Sequence, residues 1–221
     1  MKSGIVTLDS IRADFESLMG DPAYPCIAAY HALKAGDIHT EIYGSMGTQQ
    51  STLQLADALT RFSELQIELQ SPYLTYVAAF SASKFLDELS FENALWSQLQ
   101  MLHDTRDRSV AWDPQGISDP SQPDFSFSFG GQSFFVVGLH PQASRKARQF
   151  KVPFLAFNLA SQFRELERKG IYEKMKNIIR EKDRKYQGSV SPTILAYGDT
   201  HEALLYSGRD VDASWKCPFR P

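Results

Sequence analysis

The stretch that decides the fold of this chain is FSFSFGGQSFFVVGLH, residues 125–140. Its first half alternates phenylalanine with serine, which is the period-two pattern of a strand that buries one face. Gly130 and Gly131 follow, and a Gly-Gly pair is typical of the tight turn between two antiparallel strands. The second half is again apolar and β-branched. The segment therefore predicts a Phe-rich β-hairpin.

On both sides of the hairpin, helical and strand patterns alternate along the chain. The apolar periodicity predicts helices over 7–19, 25–35, 50–69, 84–103, 159–169 and 171–186, with Asn158 as the cap of the fifth. Strands are predicted over 38–46, 73–80 and 152–157, and two short strands, separated by Gly198 and Asp199, over the tail 194–219.

No repeat or linker divides this pattern. We expect one α+β domain over residues 1–221, with a mixed or antiparallel sheet whose central Phe-rich β-hairpin packs against several helices. The polar, proline-rich stretch 104–124 predicts a long loop, and long loops are often functional.

Composition excludes several classes of protein. No apolar run reaches the roughly 18 residues of a membrane span, and the N-terminus has no signal-peptide pattern, so we expect a cytoplasmic protein without a membrane partner. The two cysteines, Cys26 and Cys217, are too few for a secreted disulfide scaffold. The net charge is −3, and no nucleic-acid-binding motif is visible, which disfavours a nucleic-acid partner.

The basic residues are concentrated in one region. Residues 140–190 hold 13 Lys/Arg and 5 Asp/Glu, although the whole chain is acidic. This excess fits either two helices with solvated basic faces, or an anion site or docking face for an acidic partner.

The sequence lacks the motifs GxGxxG, GxSxG and HExxH and the Walker loop, so the chemistry must be sought in single residues. His140 ends the hairpin and precedes Arg145 and Arg148, as a ligand at the mouth of an apolar pocket would; it could equally be a polar residue at the start of a loop. His103 lies on an apolar helix face and is more simply a core histidine.

The phenylalanines of the hairpin fit a hydrophobic core, but they also fit the walls of a flat macrocycle. Cys217 stands before Pro218 in a Cys-Pro pair of the kind that binds haem in some proteins, and it could equally end a packed strand.

Several longer segments carry a family resemblance. The segment GGQSFFVVGLHPQASRKARQF (130–150) resembles the signature of the YqcI/YcgG family, and further matching segments are YPCIAA (24–29), FENALWSQLQMLHD (91–104), SDPSQPDFSFSFGG (118–131), FNLASQF (157–163) and YSGRDVDASWKCPF (206–219). The chain departs from the family pattern at Leu159-Ala160, where related members often carry Pro-His.

The resemblance implies an activity and a cofactor. Characterised members look like haem-dependent N-oxygenases, which hydroxylate the guanidine group of arginine or of an arginine-derived metabolite in biosynthetic pathways. It therefore implies haem b, with O2 as co-substrate, because amino-acid side chains cannot activate O2. An electron donor is also needed, and the basic region 140–190, including Lys174 and Lys176, could dock an acidic, ferredoxin-like protein. A homodimer is a further possibility.

The implied cofactor gives roles to particular residues. His140 is the first candidate for the axial iron ligand, His103 the second and Cys217 the third. Arg145 and Arg148 would pair with the haem propionates, and the macrocycle would be walled by Phe129, Phe134 and Phe135. A guanidinium substrate requires a carboxylate, for which the candidates are Glu92, Asp124 and Glu202. Two alternatives stay open: a haem-binding or haem-sensing protein without catalysis, and a haem-free small-molecule-binding protein.

Overall fold

The chain folds around a five-stranded mixed sheet. In a computed structural model, which describes residues 6–69, 71–197 and 202–221, the strands are β1 (Ile38–Tyr43), β2 (Thr75–Phe80), β3 (Phe127–Phe129), β4 (Gln132–Leu139) and β5 (Phe154–Leu159). Their order across the sheet is β1-β2-β5-β4-β3. Strands β1 and β2 run parallel, and every other neighbouring pair is antiparallel. The predicted α+β class and the Phe-rich hairpin are confirmed, with the hairpin forming one edge of the sheet.

Helices cover both faces of this sheet. They are α1 (Leu8–Met19), α2 (Ile27–Ala35), α3 (Gln49–Leu69), α4 (Glu88–Thr105), α5 (Ala160–Arg168), α6 (Tyr172–Gln187), α7 (Pro192–Tyr197) and α8 (Glu202–Leu205), with a short 3-10 turn at Lys146–Arg148. Thr7 and Asp87 begin α1 and α4 with capping boxes. Among the described residues, no helix combines the length and the apolar character that crossing a bilayer requires.

Each face of the sheet has its own hydrophobic core, and β4 contributes to both because its side chains alternate between the faces. Phe134 and Val136 enter the larger core, which α3, α4 and the C-terminal tail complete. Val137 and Leu139 point to the smaller core, which the strands share with α1 and α2. The alternation of β4 therefore decides which side chains of the hairpin can reach a ligand on a given face.

The long loop 104–124 is fixed against the hairpin. The carboxylate of Asp113 accepts hydrogen bonds from the backbone N–H of Ser133 (3.1 Å) and from Arg164 (3.3 Å), and the Ser128 hydroxyl accepts one from the N–H of Asp113 (3.0 Å). A side chain on Gly116 would place its Cβ 2.1 Å from the Ser133 oxygen, so the loop can lie this close only with glycine there. The contacts of Asp113 and Gly116 therefore hold this part of the loop against the hairpin and stabilise the edge of the sheet.

Two local predictions are wrong. The tail does not form two strands: helices α7 and α8 occupy part of it, and the described residues after Leu205 are irregular, while Gly198 and Asp199 lie outside the described residues. Short apolar runs do not distinguish helix from strand by periodicity alone. Asn158 does not cap α5 either, because it lies in β5, where its side chain accepts from the Thr75 hydroxyl (3.0 Å) and donates to the Phe135 carbonyl (3.2 Å).

Candidate functional site

A cavity of about 310 Å³ lies on the smaller-core face of the sheet. Its floor is made by Val77, Ala156 and Val137, which come from the neighbouring strands β2, β5 and β4. Helices α1, α2 and α6 contribute walls, and α7 and α8 contribute residues as well. The volume falls within the range of small-molecule sites, which are mostly apolar with a few polar groups. The polar groups of this lining therefore define what the cavity can bind.

Cys26 is the thiol of this lining. It is the N-cap of α2, and its sulfur accepts a hydrogen bond from the backbone N–H of Ala29 (3.5 Å). Burial raises the pKa of the thiol, whereas the Ala29 N–H and the positive charge of Arg148 act in the opposite direction. A helix N-terminus and a nearby cation are the features that favour a thiolate.

Among the described residues, four arginines line the cavity: Arg145, Arg148, Arg180 and Arg209. Arg209 pairs with Glu92. Arg145 and Arg148, which the sequence singled out, differ in how their charges are neutralised. Arg145 forms an ion pair with Asp183 (2.5 Å) and donates to the Ser189 carbonyl (2.8 Å). Arg148 donates to the carbonyls of Gly138 (3.1 Å) and Leu205 (2.9 Å). It forms no ion pair within the described part of the chain, although the charge of Asp183 acts on it from a greater distance. Burial lowers the pKa of Arg148. Because buried charges are normally paired, Arg148 is the cation of the lining best suited to receive an anionic group of a ligand.

Glu202 is a carboxylate of the same lining, and its electrostatic environment is unfavourable for a negative charge. Burial raises its pKa to about 7, and the carboxylates of Glu167 and Asp124 add to the effect, while Arg164 opposes it. These neighbours differ from those of Cys26, so the two groups belong to different parts of the lining.

The three predicted iron ligands do not line this cavity. The His140 ring is buried and stacks on Phe91 of α4 (4.1 Å between ring centres), towards the larger core. Its Nδ1 is buried and has no hydrogen-bond partner among the described residues, and burial lowers the pKa of the ring to about 4, so the imidazole is neutral. His103 packs edge-on against Phe219 (5.1 Å), and Cys217 belongs to the same larger core, where burial raises its pKa to about 12.

The remaining predicted residues divide between the two faces. Arg145, Arg148 and Phe135 line the cavity together, whereas Phe129 and Phe134 belong to the larger core on the other face. The alternation along β4 explains this division, because Phe134 and Phe135 are consecutive residues of one strand.

Of the three predicted substrate carboxylates, the structure brings only Glu202 into the cavity. Glu92 is buried in the larger core, where its carboxylate pairs with Arg209 (2.5 Å) and accepts from the Trp215 indole N–H (3.0 Å). Asp124 is exposed and does not belong to the lining.

Sequence reasoning gave Cys26 no functional role, although two signals were present. The residue lies in the segment YPCIAA, which carries part of the family resemblance, and it directly precedes the apolar residues that start α2. Its position at a helix N-terminus was therefore readable from the sequence, but its exposure to a cavity was not.

The fold and the site define a single α+β domain with a cavity of about 310 Å³ between its sheet and its helices. The chain belongs to the YqcI/YcgG family, whose family model matches residues 15–220. No curated protein and no solved structure matches the chain significantly.

Proposed function

We propose that this protein is a haem-dependent monooxygenase that N-hydroxylates the guanidine group of arginine or of an arginine-derived metabolite, and that the cavity next to Cys26 holds the haem. The observation that carries the proposal is the composition of the lining: the thiol of Cys26 at a helix N-terminus, the buried Arg148, which forms no ion pair among the described residues, and apolar walls from three strands. Membership of the YqcI/YcgG family supports the reaction class.

The residues of the lining fit such a group. A haem requires an axial ligand, apolar walls and cations for its propionates. Cys26 would supply the ligand in place of His140, His103 and Cys217, none of which lines the cavity. Arg148 would receive a propionate, because its charge has no carboxylate partner among the described residues. Phe135 would form part of the wall.

The bound haem would supply O2 activation, in which one oxygen atom enters the N–OH bond and the other leaves as water, with two electrons and two protons from a donor. The chain's own residues act on this chemistry in two ways. Burial raises the pKa of the Cys26 thiol, and the Ala29 N–H and the positive charge of Arg148 oppose this effect, so these two groups would favour the thiolate form of Cys26 as a ligand. The apolar floor of Val77, Val137 and Ala156 keeps water away from the reacting atoms.

One observation favours a second candidate function, a haem-free small-molecule-binding protein. The cavity volume of about 310 Å³ lies at the lower end of the range for ligand sites, and it would accommodate a small metabolite without a macrocycle. The two functions differ in a simple readout, since only the first predicts a visible spectrum and an oxidised product.

The test of the proposed activity is turnover. The protein is reconstituted with haem and supplied with O2 and a chemical or ferredoxin-type reductant. It is incubated with arginine or with agmatine, and the N-hydroxylated product is measured by mass spectrometry. We expect product from the wild type and from Cys217→Ser, and none from Cys26→Ser. Product formation by Cys26→Ser at the wild-type rate would contradict the assignment. Failure of the wild type to oxidise arginine or agmatine, once haem is bound, would contradict the activity.

We also propose that the donor is an acidic, ferredoxin-like protein that docks on the basic surface of α6. Lys174 and Arg184 are exposed on this helix, whereas Lys176 pairs with Glu173 (2.5 Å) and reaches the cavity. Charge reversal at Lys174 and Arg184 therefore tests docking without disturbing the lining.

We expect the double variant Lys174→Glu/Arg184→Glu to slow turnover with a ferredoxin-type donor and to leave turnover with a chemical reductant unchanged, because steering depends on complementary charge. Lys84→Glu, an exposed lysine outside the basic region, is the matched control. Equal donor-supported rates in the double variant and the control would rule out docking at this surface.

A further inference from the structure

We propose that Glu202 holds the cationic end of the molecule that enters the cavity, and that this cation is a guanidinium. The choice of guanidinium rests on the proposed function, but binding through Glu202 does not require the haem. The inference selects one carboxylate from the three that the sequence leaves as candidates.

Glu202 is half-buried in the lining, among apolar residues such as Leu204 and Phe163. Its carboxylate has no hydrogen bond or ion pair with any side chain in the described part of the chain. A carboxylate that is withdrawn from water without a partner is unstable until a cation binds it.

The charges around Glu202 disfavour its ionised form. Glu167 on α5 and Asp124 at the end of the long loop are both close enough to disfavour ionisation of Glu202. The opposing cation is Arg164, and its guanidinium already donates to Asp113 (3.3 Å). Tyr206, which is also near, is neutral because burial raises its pKa well above the usual value. The surroundings of Glu202 therefore carry an excess of negative charge that a ligand cation would neutralise.

The other two candidate carboxylates, Glu92 and Asp124, are not placed to bind a ligand in the cavity. The oxygens of Glu92 already accept from Arg209 (2.6 Å) and Trp215 (3.0 Å), so none is left for a ligand without breaking an ion pair. Asp124 is exposed and lies outside the lining. A guanidinium with its planar set of N–H donors suits a carboxylate that is free to accept two of them, and among these three that is Glu202.

A consequence for proton uptake follows from the environment of Glu202. Burial, with the like charges of Glu167 and Asp124, raises its pKa to about 7, so the free protein carries a mixture of acid and carboxylate near neutrality. A guanidinium is charged throughout this range and binds the carboxylate form. Binding must therefore release a proton, and affinity must rise with pH up to the pKa of the free protein and level off above it.

The experiment is isothermal titration of the purified full chain with arginine and with agmatine, with the haem content of each sample read from its visible spectrum. Titrations are made at pH values below and above the Glu202 pKa of about 7, in buffers of different ionisation enthalpy, which give the number of protons released. Glu202→Gln removes the charge, Glu202→Asp keeps it, and Asp124→Asn is the control at an exposed carboxylate. Thermal melts establish that each variant folds.

Above the pKa, we expect Glu202→Gln to weaken binding by about 10- to 100-fold, the loss typical of a charge-assisted hydrogen bond. It should also abolish proton release, while Glu202→Asp retains part of the affinity and Asp124→Asn stays close to the wild type. Equal affinity and equal proton release in folded Glu202→Gln and in the wild type would overturn the proposal, as would absence of binding of both ligands to the wild type. Glu202-dependent binding in a protein that takes up no haem would instead refute the oxygenase and leave Glu202 as the cation site.

Discussion

Replacing Glu92 by glutamine tests the conclusion that this residue holds the C-terminal tail rather than a substrate. Its carboxylate lies on α4 and is 5% exposed, and it pairs with Arg209, whose side chain is 26% exposed (2.5 Å). It also accepts hydrogen bonds from the Trp215 indole (3.0 Å) and from the Ser207 hydroxyl (3.3 Å). Glutamine keeps the shape but removes the charge, so Arg209 loses its counter-ion.

Breaking a buried ion pair from one side costs about 3–5 kcal/mol, because the remaining charge is left without a partner. Since a quarter of Arg209 reaches solvent, we expect the lower end, about 3 kcal/mol, in the free energy of unfolding. For a chain of this size that corresponds to a fall of about 6–12 °C in the melting temperature. Urea unfolding followed by circular dichroism measures the loss directly, provided that the transition is two-state.

The exposed pair Asp57–Arg61 on α3 provides the control, because Asp57→Asn breaks an ion pair that solvent already screens and should leave the melting temperature unchanged. A double-mutant cycle with Arg209→Met isolates the interaction between Glu92 and Arg209. A stability of Glu92→Gln equal to that of Asp57→Asn would refute the assignment, and so would a selective loss of arginine binding by a Glu92→Gln protein of unchanged stability.

Two further predictions concern the end of β4. A Cβ on Gly138 would lie 2.7 Å from the ring of Phe91, so Gly138→Ala should lower the free energy of unfolding by about 1–3 kcal/mol through overpacking, as measured by urea unfolding; an unchanged midpoint would show that the ring can move aside. The buried His140 has a pKa of about 4, whereas the ordinary value is 6.5. Between pH 4 and pH 6.5 this imidazole is therefore protonated in the unfolded chain but neutral in the folded chain. The free energy of unfolding should therefore decrease as the pH is lowered from 6.5 to about 4. The slope of melting temperature against pH in this range should be smaller in His140→Gln. Equal slopes in both proteins would contradict the buried, neutral imidazole.

The parts of the fold that were predictable are those with strong local signals. The alternation of Phe125, Phe127 and Phe129 and the Gly-Gly turn predicted the hairpin, although regular pairing begins only at Phe127. The tail was not predictable, because much of it is held by side chains that are distant in sequence. Glu92 binds Arg209 and Trp215 across more than a hundred residues, and no periodicity in the tail encodes these contacts.

The candidate site shows the same division between local and long-range information. The concentration of arginines after His140 correctly drew attention to Arg145 and Arg148, which both line the cavity. The choice of His140 as the first candidate ligand rested on its position at the end of the hairpin. The sequence could not show that His140, directly after β4, packs against Phe91. Nor could it show that Cys26, at the start of α2, lies near Arg148.

The central claim is that Cys26, from its position in the cavity, binds the iron of a haem. The most direct measurement is the visible spectrum of the haem-reconstituted protein, reduced under carbon monoxide, for the wild type, Cys26→Ser and His140→Ala. We predict a thiolate-type spectrum in the wild type and in His140→Ala, and its loss in Cys26→Ser. A histidine-type spectrum that disappears in His140→Ala and survives in Cys26→Ser would contradict the account, and a wild-type protein that remains colourless would remove the haem from it.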